Sequence, residues 1–73
     1  MIGTRLLFGH QVREFLWGRN FRLVAKIDDN TQLWATPWGH HFTVPTLGPD
    51  ECCARWALDD ILERVEATRP TSH

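Results

Sequence analysis

Tyrosine is absent from this 73-residue chain, and cysteine occurs only as the adjacent pair Cys52 and Cys53. Read as helical neighbours, their side chains diverge by about 100°, so the pair cannot staple the fold. Two reduced thiols fit a cytoplasmic setting, where disulfides are rare. Long apolar runs are also missing. The longest near the start, Leu6-Leu7-Phe8, is far shorter than a signal-peptide core or a membrane span, so neither export nor membrane insertion is expected. Net charge is small as well, −1 with a sequence pI near 6.4, so the whole-molecule field does not attract polyanions. Any nucleic-acid role must rest on a local patch.

At this length the chain has room for one domain and one hydrophobic core. Between Thr4 and Arg19, Phe8, Val12, Phe15 and Leu16 fall on one helical stripe. Either a long helix runs through Gly9, or a shorter one opens at His10 and leaves Ile2 to Phe8 as an extended arm. Gly18 closes the helix in both versions, and Asn20 suits the turn that follows. Phe21 to Ile27 alternates, which predicts a half-buried strand with Phe21, Leu23, Ala25 and Ile27 on one face and Arg22, Val24 and Lys26 on the other. Asp28-Asp29-Asn30-Thr31 has turn chemistry, and Gln32 to Thr36 completes a hairpin. Pro37-Trp38-Gly39 turns the chain again into a third strand, His40 to Val44, ended by Pro45.

Gly48-Pro49-Asp50-Glu51 predicts the start of a second helix, because proline suits the first helical position and carboxylates complement the positive end of the helix dipole. Its core stripe is Ala54, Leu58, Ile61, Leu62 and Val65. The expected architecture is α+β: helix, three-stranded antiparallel sheet, helix, with both helices on one face of the sheet. Residues 1–66 form the domain and residues 67–73 a disordered polar tail.

Three segments carry a family resemblance: Gly18-Arg19-Asn20-Phe21-Arg22-Leu23-Val24 closing the first helix, the strand His41-Phe42-Thr43-Val44-Pro45, and Leu58-Asp59-Asp60-Ile61-Leu62 in the closing helix. Together with the element order, they make the chain resemble the HicA family of small toxin proteins between His10 and Val65. That resemblance implies a double-stranded-RNA-binding-like fold and messenger-RNA cleavage in a toxin–antitoxin pair. The family's histidine stands in a Gly-Ser-His-like motif at the start of the second strand. Here that place reads Asp29-Asn30-Thr31-Gln32, with neither glycine nor histidine.

If the chain were a metal-independent nuclease, its acid–base groups would have to be His40, His41 and Lys26, because imidazole titrates near neutrality. Consecutive residues of a strand point to opposite faces, so the two histidines do not act together on one phosphate without a bulge. A zinc site from His40, His41, Cys52 and Cys53 has the wrong spacing, since ligand pairs normally stand two to four residues apart. No metal and no cofactor are expected. Nucleic-acid binding would draw on Arg19, Arg22 and Lys26, with Arg22 and Lys26 on one strand face. Against it stand Asp50, Glu51, Asp59, Asp60, Glu63 and Glu66, read as a negative concentration on the second helix that repels a duplex.

The four tryptophans, in a chain without tyrosine, are the stronger anomaly. Core filling is the ordinary use of such side chains. Trp56, however, lies about 160° around the helix from Leu58, on the side shared with Asp59 and Glu63. Trp17 lies about 140° from Val12. Trp34 shares its parity with the polar Gln32 and Thr36, read as the outer face. Exposed indoles are enriched at interfaces as anchors. The sequence therefore points to a non-catalytic cytoplasmic binding module that meets a protein partner or itself through Trp56, Trp34, Trp17, Asp59 and Glu63. An RNA-binding or mRNA-interferase role is the alternative, disfavoured by charge.

Overall fold

In the computed structural model, residues 5–70 are described. They form β1 (Leu6–Leu7), α1 (Gly9–Trp17), β2 (Arg22–Asp28), β3 (Thr31–Ala35), β4 (His41–Pro45), β5 (Cys53–Ala54) and α2 (Arg55–Glu66). The first helix takes the shorter form, opening at Gly9 rather than His10, and the described part of the arm before it, residues 5–8, carries β1 and the extended Phe8. Leu6 and Leu7 pair antiparallel with Ala54 and Cys53. Phe8 is extended, and its N–H donates to Gln11 Oε1 at 2.9 Å, which satisfies a donor at the helix start. Gly9 is required by a close approach: a Cβ there would stand 2.8 Å from the Asp50 carbonyl oxygen. At the other end Gly18 stays right-handed, and Asn20 takes the left-handed conformation at φ 67.

The sheet β2-β3-β4 is antiparallel throughout. The Asp28 carboxylate accepts the Asn30 N–H at 2.8 Å and so shapes the expected turn. Along β4 the alternation is clean: Phe42 and Val44 are buried and His41, Thr43 and Pro45 are exposed. β2 departs from the predicted alternation because its register shifts twice, between Leu23 and Ala25 and between Lys26 and Asp28. An extra residue in one strand reverses the facing of everything beyond it. Leu23 lies opposite Trp34, but Lys26 then lies opposite buried Gln32, while Ala25 and Ile27 are exposed. Arg22 lies opposite Ala35, so Arg22 and Lys26 occupy opposite faces rather than one.

Gly48-Pro49-Asp50-Glu51 is a tight loop and not a helix start. Leu47 and Cys52 exchange backbone hydrogen bonds of 2.8 and 3.0 Å across it, with φ of 70 at Gly48 and 55 at Glu51. Pairing with β1 then holds Cys53 and Ala54 extended, and α2 begins only at Arg55. The two cysteines are thus strand-like neighbours, both free thiols, and Cys53 is buried.

Four of the five residues of the expected α2 stripe, Leu58, Ile61, Leu62 and Val65, face the core, whereas Ala54 stands in β5 before the helix begins. Leu58, Leu62 and Val65 are buried in one cluster with Val12, Leu16, Phe21, Trp34, Phe42 and Val44, and Ile61 packs against it. Residues 67–70, expected in the tail, are tied to the domain. Thr68 Oγ1 accepts the Trp38 indole N–H at 3.0 Å, and the Arg69 guanidinium lies 4.4 Å from the Trp38 ring centre. Residues 71–73 of the expected tail, and residues 2–4 of the arm, lie outside the described residues.

Candidate protein-binding surface

Helical periodicity sends Leu58, Leu62 and Val65 inward and leaves Trp56 on the opposite side with Asp59 and Glu63. Trp56 is 66% exposed and Trp17, at the end of α1, is 54% exposed. Neither indole stacks on another aromatic ring among the described residues. At ~25 cal/mol per Å2, leaving most of an indole in water forgoes about 3 kcal/mol of burial, a cost that covering by a second surface would recover.

Trp34 does not join them. It is fully buried between Leu23 and Phe42 in the sheet, and its N–H donates to Gln32 Oε1 at 3.0 Å. Gln32, Trp34 and Thr36 do share a face, but it is the inner one. The polar pair is admitted to the interior because Gln32 satisfies the indole and Thr36 Oγ1 accepts the His40 N–H at 3.0 Å.

The negative charge expected of α2 is largely matched by its own arginines. Asp59 pairs with Arg55 at 3.1 Å and Asp60 with Arg64 at 2.8 Å. Glu66 meets Arg69 at 2.9 Å and Arg19 at 3.7 Å. The Arg69 hydrogen bond holds the Glu66 carboxyl below its ordinary range. Of the carboxylates within α2, only Glu63 has no ion-pair partner among the described residues. Asp50 and Glu51 lie outside the helix altogether.

The basic candidates are dispersed. Arg19 stacks over Phe15 at 4.8 Å, and Arg22 lies exposed on the face of β2 away from Lys26. Lys26 Nζ lies 2.7 Å from Glu51 Oε2, a hydrogen bond that raises the lysine above its ordinary value and holds the carboxyl below its own. His41 lies opposite Ala35 on β4, while Lys26 lies opposite Gln32 on the far side of β3. The three nuclease candidates His40, His41 and Lys26 are therefore not brought together. No group of three or more His, Cys, Asp or Glu side chains placed to hold a metal ion occurs among the described residues.

Sequence reasoning missed one cluster. The Glu51 carboxylate also meets Arg13 Nη1 at 2.9 Å, so one side chain from the loop bridges α1 and β2. His10 stacks on Phe8 beside it, lining a cleft with Arg13, Pro49, Asp50 and Glu51. The Gly48-Pro49 dipeptide, a turn signal as well as a helix-start signal, was the available clue.

The fold and this surface define a small α+β domain with an exposed aromatic helix face. Compared with protein-family models, curated proteins and solved structures, the chain matches none. No helix among the described residues is long and apolar enough to cross a membrane.

Proposed function

We propose that the chain is a small non-catalytic binding module, a cytoplasmic regulator or inhibitor. It meets a protein partner or a second copy of itself through Trp56, Trp17, Asp59 and Glu63. In this reading the scaffold is HicA-like, with both helices against one face of the sheet. Its support is the single core cluster that joins residues of α1 and α2 to Trp34, Phe42 and Val44. The carrying observation is that Trp56 stands 66% exposed on a helix whose opposite side already fills the core. Large aromatic side chains in that position act as anchors when a partner covers them.

The rival reading is an mRNA interferase or RNA-binding member of a toxin–antitoxin pair, using His40, His41 and Lys26. Weighing against it are the ion pairing of Lys26 with Glu51 and the separation of the three groups across the sheet. The deciding experiment measures self-association by sedimentation, and partner recovery from nuclease-treated lysate, for the natural chain and Trp56→Ala. Loss of association with an unchanged melting transition is expected. Unchanged association in the variant, or recovery of RNA alone, would sink the reading.

A further inference from the structure

We propose that the outer edge of β4, together with the groove between β4 and α2, binds an extended peptide by strand addition, and that the preferred peptide is apolar with a carboxylate. This surface is separate from Trp56, since Ile61, Arg64 and Val65 lie on a different side of α2. It stands independently of the function proposed above.

Hydrogen bonding opens the edge. Thr36 N–H donates to His40 O at 2.8 Å and Thr46 N–H to Asn30 O at 2.7 Å, which brackets the β3–β4 ladder. With Trp34 opposite Phe42 and Gln32 opposite Val44, the even-numbered residues of β4 bond to β3. His41 and Thr43 therefore point both N–H and C=O away from the sheet, and Pro45 points its C=O the same way. Among the described residues β4 has no second neighbour in the sheet, and it contains no register shift. These are the features that let an added strand continue a ladder.

The groove beside this edge is about 560 Å3, lined by Phe42, Pro45, Ile61 and Val65 among others. A strand laid along β4 would place alternate side chains toward Ile61 and Val65, which favours apolar residues at those positions. Charge complementarity decides the rest. Arg64 and His40 are the ionisable residues of the lining, and no carboxylate of the described residues belongs to it. Arg64 is 78% exposed, and its pair with Asp60 is a surface i,i+4 contact of the kind that exchanges at little cost. A peptide carboxylate can take its place with two parallel hydrogen bonds.

The test uses a nine-residue peptide of alternating valine and threonine with glutamate at both ends, and the same peptide with lysine at both ends. Binding to the full chain is followed by amide chemical shifts and hydrogen exchange. The proposal expects slowed exchange at His41 and Thr43 and an affinity about tenfold higher for the glutamate peptide. Arg64→Glu reverses that preference. Thr43→Pro, which removes an outward N–H without touching the β3 ladder, weakens both peptides about tenfold. Each variant is accepted only if its β3–β4 amide pattern is unchanged, and Arg64→Gln, which abolishes the preference, replaces an Arg64→Glu that fails this check. Equal affinity for the two peptides, shifts centred on the Trp56 indole, or no binding at about 1 mM would overturn the proposal. So would an RNA oligonucleotide that protects the same two amides in place of the peptides.

Discussion

Lys26 Nζ lies 2.7 Å from one oxygen of Glu51, while Arg13 Nη1 reaches the other at 2.9 Å. The two cations come from β2 and α1, and the carboxylate comes from a loop residue held at φ 55, a conformation that non-glycine residues rarely adopt. The ion pairs and the Gly9 N–H bond to Asp50 O at 2.9 Å hold that loop on the helix start.

Protonating Glu51 should release the loop. Its carboxyl is lowered by the Lys26 hydrogen bond, so its contribution is full above the unfolded value near 4.5 and is lost as pH falls through the lower folded value. Lys26 is raised by the same bond, so its share persists below 10.5 and is lost only as pH climbs through the higher folded value. Melting curves at a series of acidic pH values should fall less steeply for Glu51→Gln than for the natural chain. Parallel acid limbs would remove Glu51 from the account.

Trp34 and Trp56 should respond oppositely to truncation. Trp34→Ala leaves a cavity in the core and should cost about 3–5 kcal/mol, a large part of a small domain's stability. Trp56→Ala should leave monomer stability within about 0.5 kcal/mol while weakening association by about 2 kcal/mol or more. Chemical denaturation of dilute samples measures the first quantity and sedimentation the second.

Gly9→Ala should destabilise the fold although alanine is the better helix former. The propensity gain is at most ~1 kcal/mol, against ~1–3 kcal/mol for forcing atoms into occupied space. The new methyl meets the Asp50 backbone oxygen, which has no side-chain freedom with which to yield. A rise in melting temperature would show that the loop simply moves away.

The thiols should differ in reactivity. Cys53 is 2% exposed and burial raises its thiol above the ordinary value, whereas Cys52 is partly exposed. A thiol reagent followed by peptide mass spectrometry should modify Cys52 first in folded protein. Equal rates at both residues would contradict the burial of Cys53.

Purified protein should cleave RNA no faster than a His40→Ala, His41→Ala double variant. Lys26 on β2 lies at the opposite edge of the sheet from His40 and His41 at β4, so it cannot share one phosphate with either, and consecutive residues leading into a strand point to opposite faces. Metal-independent cleavage abolished in that variant would restore the interferase reading.

What could be read from the residues depended on whether the signal was periodic. The α2 stripe from Leu58 to Val65 and the exposure of Trp56 both follow from 3.6-residue geometry, and both stand in the structure, whereas Ala54, expected in that stripe, belongs to β5. Trp34 was misread because strand parity separates two faces without saying which is inner, and the polar Gln32 and Thr36 pointed the wrong way. The irregularities in β2 leave no compositional mark near Val24, so a single inserted residue turned Lys26 over unannounced. At Gly48 to Glu51 the residues that open helices are also those that make tight turns. The choice fell to the pairing of Leu6 and Leu7 with Cys53 and Ala54, contacts distant in sequence and too short to predict.

The two edges of the main sheet are unlike. β2 is interrupted twice and carries a lysine, while β4 runs unbroken to its proline. Irregular, charged edges resist the stacking of strand on strand, whereas regular ones invite it. Polymerisation needs two regular edges, and among the described residues this sheet has one. A strand added at β4 would therefore end the growth, and an open-ended fibre built through this sheet would lack its second joint.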